Sequence, residues 1–331
     1  MNSESQALPA FQRHEVLCIG KDKSGQQLPD DVWVLQSGRL YGVFDGATSP
    51  TGARIDGMSS GRFAALQCAA AAQRYALATP QNAYASADLL QAMSAALAIA
   101  LQVHGSQPGG AATTAALALD AGDMLHFLLV GDSGVRINER DVVQVHKPVD
   151  DIYTAMRVAL IRQAHARMAA AGGDPSAQLL DALEFKTRQE VFTGLEDISA
   201  VLPSVTQQLQ VTVASDALAM LPDLLRLGIR GGQLPFMNRT DHSLGYAVLN
   251  GQSVQGPDLL MFSRPRDQVH SLEFFTDGYM TPGAEASVAS WEAAWQQVEA
   301  QDPHKTGAWP NIKSSTQGEH WDDRTLLIAR F

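Results

Sequence analysis

Four aspartates, far apart in the chain, each stand where a predicted strand meets a turn. Asp45 ends Leu-Tyr-Gly-Val-Phe-Asp-Gly (residues 40–46), and Asp132 follows the apolar run 125–130 in Val-Gly-Asp-Ser. Asp277 ends Leu-Glu-Phe-Phe-Thr-Asp-Gly, and Asp322 stands just before Arg-Thr-Leu-Leu-Ile-Ala-Arg-Phe at the C-terminus. Carboxylates are hard oxygen donors of the kind that Mg²⁺ and Mn²⁺ prefer. Two such ions roughly 3.5–4 Å apart hold a water between them, lower its pKa and neutralise a phosphoryl group under attack. That chemistry needs no side-chain nucleophile, and no Ser/His/Asp or Cys/His arrangement stands out. Cys18 and Cys68 lie in no C-x-x-C spacing, which leaves a thiolate zinc site unsupported. The histidines are scattered, with no ligand pair among them.

The elements must bring these carboxylates to one edge. Residues 32–36 and 40–44 read as a hairpin turning at Ser37-Gly38-Arg39. A register symmetric about Gly38 puts Asp31 opposite Asp45 and Asp30 opposite Gly46. Asp45, Asp132 and Asp277 fall at C-terminal ends of strands, whereas Asp30, Asp31 and Asp322 fall at N-terminal ends. In antiparallel pairing the start of one strand borders the end of its neighbour, so all six positions can share an edge. Gly46 lets the backbone come close, so its carbonyl can also serve as a ligand.

Helices are expected over about 59–77 and 86–103, then paired strands over 112–119 and 124–130, and over 135–138 and 142–146. The order strands, helices, strands points to antiparallel sheets with helices outside them. Residues 149–197 turn helical, broken at Gly172-Gly173-Asp174-Pro175, with Asp174 or Ser176 as a cap. A strand over 208–214, a helix over 216–227 and a polar loop over 230–243 follow. Strands resume at 245–249, 259–263 and 271–276, and a last helix covers 288–299.

Several residues compete for roles. Asp216 also follows an apolar run, but Ala217 replaces the glycine, and Ser215-Asp216 reads as a helix cap. Asp323 is read as facing solvent or a backbone N–H. Thr113 and Thr114 read as packed strand residues, and His242 as a loop residue. Arg157, Arg162 and Arg167 read as a solvated helix face.

Bulk properties narrow the class. The formal net charge of -11 disfavours nucleic-acid binding. No signal peptide is apparent, and the alanine-rich stretch around 92–101 reads as a buried helix, so a cytoplasmic chain without membrane contact is expected.

Together the motifs resemble the metal-dependent protein phosphatases of type 2C. The resemblance rests on Asp30-Asp31, Val-Phe-Asp45-Gly46, Gly-Gly-x-x-Thr-Thr-Ala (109–115), Val-Gly-Asp132-Ser133, Phe-Thr-Asp277-Gly278-Tyr and Asp322-Asp323-Arg324-Thr325, in the family's order across nearly the whole chain. It implies an α+β, four-layer α-β-β-α sandwich of two antiparallel sheets flanked by helices, as one domain over 1–331. A mostly helical insertion or flap would occupy about 149–243. It also implies that Asp45 bridges two Mg²⁺ or Mn²⁺ ions, the Gly46 carbonyl binds one, and Asp277 and Asp322 hold the other. Asp30 matches an acidic ligand position, often Glu in the family, where the shorter Asp reaches an ion through water; Asp31 stands behind the ligands. Asp132, shared with Asp277, is the place of a third, weaker ion in some members.

The implied activity is hydrolysis of phosphoserine and phosphothreonine in proteins by a hydroxide bridging the two ions, in a chain partnered by a serine/threonine kinase and resembling bacterial members. A catalytically weak regulatory module and a small-molecule phosphomonoesterase are the alternatives. Three departures bear on this. Gln26 stands near the family's phosphate-binding Arg, with Lys23 the closest cation. Ala47 replaces a frequent His, and Gly134 replaces the Arg after Gly-Asp-Ser.

Overall fold

The computed structural model describes residues 13–47, 54–172 and 198–331. Its strands are β1 (Arg13–Ile19), β2 (Val32–Gln36), β3 (Leu40–Gly46), β4 (Arg54–Ile55), β5 (Met58–Ser59) and β6 (Thr113–Asp120). They continue as β7 (Met124–Val130), β8 (Gly134–Ile137), β9 (Asp141–Val143), β10 (Leu259–Pro265), β11 (Ser271–Phe275) and β12 (Arg324–Arg330). The helices are α1 (Ser60–Ala78), α2 (Ser86–Val103), α3 (Pro148–Ala170), α4 (Ile198–Leu209), α5 (Ser215–Ala219), α6 (Leu221–Gly232) and α7 (Val288–Gln301).

Two antiparallel sheets form, ordered β10-β7-β6-β3-β2 and β1-β12-β11-β8-β9. Side chains alternate across each strand, and the alternation builds the layers. Tyr41, Val43, Phe127 and Leu129 of the first sheet pack on Leu272, Phe274, Leu327 and Ala329 of the second. Leu40 and Phe44, one step out of phase, face α1 and α2. Phe275, Leu326 and Ile328 face the other way, onto Trp291 and Trp295 of α7. The result is a four-layer sandwich, helix–sheet–sheet–helix, as expected. The β2–β3 hairpin pairs Val32 with Phe44, the register that continues to Asp31 opposite Asp45.

The middle of the chain departs from several expectations. Leu209 ends α4, and residues 210–213 form a turn, not a strand. Val213 is buried in the helical cluster of α3, α4 and α6, where no strand among the described residues pairs with it. The helix expected over 216–227 is two helices, because Pro222 lies in the first turn of α6 and cannot donate a helical hydrogen bond. Residues 245–249 make only isolated bridges, Met237 to Tyr246 and Thr113 to Leu249. Side chains take up the backbone donors there: Asp258 accepts from Ala247 N and Asn238 from Val248 N. The α2 helix is long and apolar enough by composition to cross a membrane. It buries only the face of Leu89, Met93, Leu97 and Leu101, and leaves Ile99 and Val103 exposed. Asp174, Ser176 and the second half of the segment 149–197 lie outside the described residues.

Candidate metal centre

β3 and β7 both pair antiparallel with β6, so they run parallel to each other and end at the same edge. Asp45 lies near the end of β3, and Asp132 lies just past β7. β11, in the facing sheet, brings Asp277 to the same edge. The three carboxylates each place an oxygen within 4.8 Å of the others. Thr113 and Thr114, buried at the start of β6, hold the backbone of Asp45 and the neighbour of Asp132. Thr113 Oγ1 donates to the Asp45 carbonyl at 2.7 Å, and Thr114 Oγ1 shares a 2.8 Å hydrogen bond with the hydroxyl of Ser133. These threonines therefore position the site, beyond the packing role read from sequence.

The other acidic residues surround this trio. Asp31 is buried between the sheets and accepts from Thr276 Oγ1 at 2.8 Å. Asp30 accepts from the hydroxyl of Ser59. Asp323 is buried and accepts the backbone N–H groups of Lys21 and Asp30, at 2.6 and 2.9 Å. This is the backbone partner its position allowed. Asp322 pairs with Lys313 and interacts electrostatically with Asp277 and Asp45. Asp216 stays out of the cluster: it is exposed in the first turn of α5 and accepts from Ser243, without capping the helix.

Close backbone contact holds this edge together. A Cβ on Gly46 would lie 2.6 Å from the Asp30 carbonyl oxygen and from the carbonyl carbon of Gly61. A Cβ on Gly61 would lie 2.6 Å from the Gly46 oxygen. Only two facing glycines let α1 start against the end of β3. Gly278 is equally confined, with a would-be Cβ 2.1 Å from the Asp323 oxygen.

Electrostatics show what the cluster lacks. Burial, reinforced by neighbouring Asp277, Asp31, Asp322 and Asp132, pushes the Asp45 carboxyl well above the usual range. Burial and then Asp322 and Asp132 push Asp277 up to about 7. Burial and Asp323 raise Asp31. Asp31, Asp132 and Asp277 each keep one buried Oδ1 with no hydrogen-bond partner among the described residues. An all-oxygen, anionic donor set with buried, unpaired acceptors fits a hard divalent cation.

Three lysines near the cluster carried no signal in the sequence. Lys147, immediately before α3, binds Asp132 at 2.8 Å and Asp150 at 3.5 Å, and its ammonium lies 5.6 Å from the Tyr246 ring centroid. Burial opposes its charge, but those carboxylates hold its pKa well above the usual value. Lys313 pairs with Asp322, and Lys21 interacts with Asp322, Asp323 and Asp30. Gln26 and Lys23 lie in an exposed turn organised by the Asp22 carboxylate, where Lys23 donates to the Thr316 carbonyl. His242 packs against Phe236 and Met220 in the helical cluster.

A cavity of about 360 Å³ adjoins Asp132 and Asp277, walled by His146, Asp150, Tyr279, Trp309 and Ile312. Arg157 secures one wall of it, in contrast to the solvated role expected of that residue. Its guanidinium is fully buried and donates to the carbonyls of His304, Lys305 and Asn311, at 2.8, 3.2 and 3.1 Å. A guanidinium has enough donors for several carbonyls at once, which a spacing rule for exposed helix faces does not anticipate.

Comparison with solved structures finds matches at low identity. The Mycobacterium tuberculosis serine/threonine phosphatase PstP/Ppp matches with a TM-score of 0.48 and 13% identity, over 98% of this chain and 99% of that one. The catalytic domain of PstP in complex with two manganese ions matches with a TM-score of 0.48 and 13% identity, over 97% and 99%. Serine/threonine phosphatase Stp1 from Staphylococcus aureus matches with a TM-score of 0.47 and 12% identity, over 100% and 99%. No curated protein sequence matches. The family model described as protein phosphatase 2C matches residues 21–308, and by that match over most of its length the chain belongs to the protein phosphatase 2C family.

Proposed function

We propose that this chain is a metal-dependent phosphatase acting on phosphoserine and phosphothreonine in proteins. One observation carries the reading: Asp45, Asp132 and Asp277 converge within 4.8 Å, with unpaired buried oxygens on two of them. Asp45, with the Gly46 carbonyl beside it, would help to hold the metal. Asp277 and Asp322 would hold one ion, Asp30 would reach an ion through water, and Asp132 adds a carboxylate on the cavity side. A divalent pair supplies a water of lowered pKa and neutralises charge on the phosphoryl oxygens.

The chain's own residues do the rest. Thr113 and Ser59 hold Asp45 and Asp30 in place, and Asp31 ties the sheets together beneath them through Thr276. The cavity beside Asp132 and Asp277 takes the substrate's leaving side, with Trp309 and Tyr279 as its aromatic walls. Segment 149–243 contributes α3 to that wall, in keeping with a flap that shapes substrate choice.

The test is turnover of p-nitrophenyl phosphate and a phosphothreonine peptide with Mn²⁺. Wild type should turn over both. Asp45→Asn and Asp277→Asn should each lose about 100-fold or more, the order expected when a group that stabilises transition-state charge is removed. Metal-dependent activity that survives both substitutions would falsify the assigned site.

A second reading is a type 2C fold acting as a binding or regulatory module with little catalysis. The ammonium groups of Lys147 and Lys313, already seated on Asp132 and Asp322, favour it. Tight Mn²⁺ binding with no turnover of either substrate would select that reading.

A further inference from the structure

An edge built from carboxylates repels a phosphate ester unless cations meet the phosphoryl oxygens. The two residues that sequence placed nearest that task, Gln26 and Lys23, lie in an exposed turn, where Lys23 donates to the Thr316 carbonyl. We propose that Lys313 is the phosphate-binding cation of this site. The proposal rests on the phosphatase reading and deepens it.

Four observations converge on Lys313. Its ammonium pairs with Asp322 and interacts electrostatically with Asp277 and Asp45. Among the described residues its ammonium donates to Asp322, and an ammonium has three donors, so it can also donate to a ligand. Its side chain is 24% exposed, within reach of an incoming anion. The two residues before it, Asn311 and Ile312, line the cavity that Asp132 and Asp277 also line.

The loop that carries Lys313 is built to hold it. Asp302 accepts backbone N–H groups from Thr306, Gly307 and Trp309, at 3.0, 2.8 and 3.0 Å. Lys305 is fully buried against Glu299 and the Trp321 ring, and Arg157 clamps three carbonyls of the loop from α3. Asn311 Oδ1 then accepts the backbone N–H of Lys313 at 3.1 Å. A lysine on so constrained a backbone loses less freedom when it binds an anion, which is what a recognition residue requires.

The other two lysines suit the task less well. Lys147 is shared between Asp132 and Asp150 and lies over the Tyr246 ring. Lys21 keeps company with Asp30, Asp322 and Asp323, and no residue next to it lines the cavity.

The experiment titrates inorganic phosphate into the Mg²⁺-saturated full chain by calorimetry, for wild type, Lys313→Met, Lys313→Arg and Lys21→Met. Circular dichroism checks each fold, and Lys313→Gln replaces the methionine variant if that one unfolds. Lys313→Met should weaken phosphate binding by about tenfold or more, the usual cost of a lost charge-assisted hydrogen bond. Lys313→Arg should stay within about threefold of wild type, because it keeps a cationic donor. Lys21→Met should stay within about twofold, as for a residue that does not touch the anion. Phosphate affinity in Lys313→Met within about twofold of wild type overturns the proposal. So does a wild type that binds no phosphate, or a loss that follows Lys21 instead. Turnover is read separately: phosphate held through Lys313 without hydrolysis of any ester sinks the phosphatase reading and leaves the lysine's role standing.

Discussion

At the residue scale, the aspartates were legible because each stands alone at a strand end beside a turn, and their partners were not. Lys147 and Lys313 reach Asp132 and Asp322 from the β9–α3 connection and a long loop, and no spacing in the chain announces such contacts. Thr113 and Thr114 looked like packing residues because a hydroxyl that fixes a carbonyl leaves no trace in a strand pattern. The raised carboxyls yield a pH prediction for the metal-free protein. Asp277 is held up to about 7 in the fold, against about 4 for an ordinary carboxylate in the unfolded chain. Between those values the folded state binds more protons than the unfolded state, so stability falls as pH rises. Asp45 and Asp31 shift in the same direction and add to the trend. In chelator, the melting temperature should therefore drop between pH 5 and pH 8, with a loss on the order of a few kcal/mol. Asp277→Asn should flatten the slope. Melting that is unchanged or rising over that range would show that these carboxyls ionise freely in the fold.

At the scale of elements, the strand pattern and hairpin register were readable, because period-two alternation dictates which face each side chain takes. The β2–β3 register followed from its turn alone, and it put Asp31 and Asp30 beside Asp45 and Gly46. Residues 208–214 and 245–249 misled for opposite reasons. The first has β-branched residues but no partner strand, and the second has its donors taken by Asn238 and Asp258. The start of α1 was located well, but what it requires was hidden. Gly61 has to meet Gly46 backbone to backbone, with carbonyl atoms where a Cβ would go. Gly61→Ala should therefore push α1 away from the end of β3. We expect a destabilisation of about 1–3 kcal/mol, typical of overpacking, with Mn²⁺ affinity falling as well. Denaturant unfolding and calorimetric titration measure the two effects. Wild-type values for both would mean that the edge yields without cost.

At the scale of the whole molecule, the sandwich supplies the aspartates, and the segment between its sheets' strands supplies the wall beside them. Arg157 joins the two. It sits at the middle of α3, yet its three carbonyl partners lie in the loop 302–313, which leads from α7 towards β12. The loop in turn ends at Lys313 and, nine residues on, at Asp322. Replacing Arg157 leaves one buried and two partly buried carbonyls without this donor, a loss of about 3 kcal/mol for a cationic donor to such acceptors. The consequence should spread beyond stability, because the same carbonyls fix the cavity wall at Trp309 and the backbone below Lys313. Arg157→Met should raise amide exchange across residues 302–313. It should also weaken phosphate binding more than Mg²⁺ binding, since Asp45, Asp132 and Asp277 stand at strand ends of the two sheets. Arg157→Lys, with three donors on a point charge, should recover stability only in part. Equal loss of metal and phosphate affinity would mean that the loop and the strand ends form one cooperative unit. Loss confined to phosphate would place substrate recognition on the loop and metal binding on the sheets.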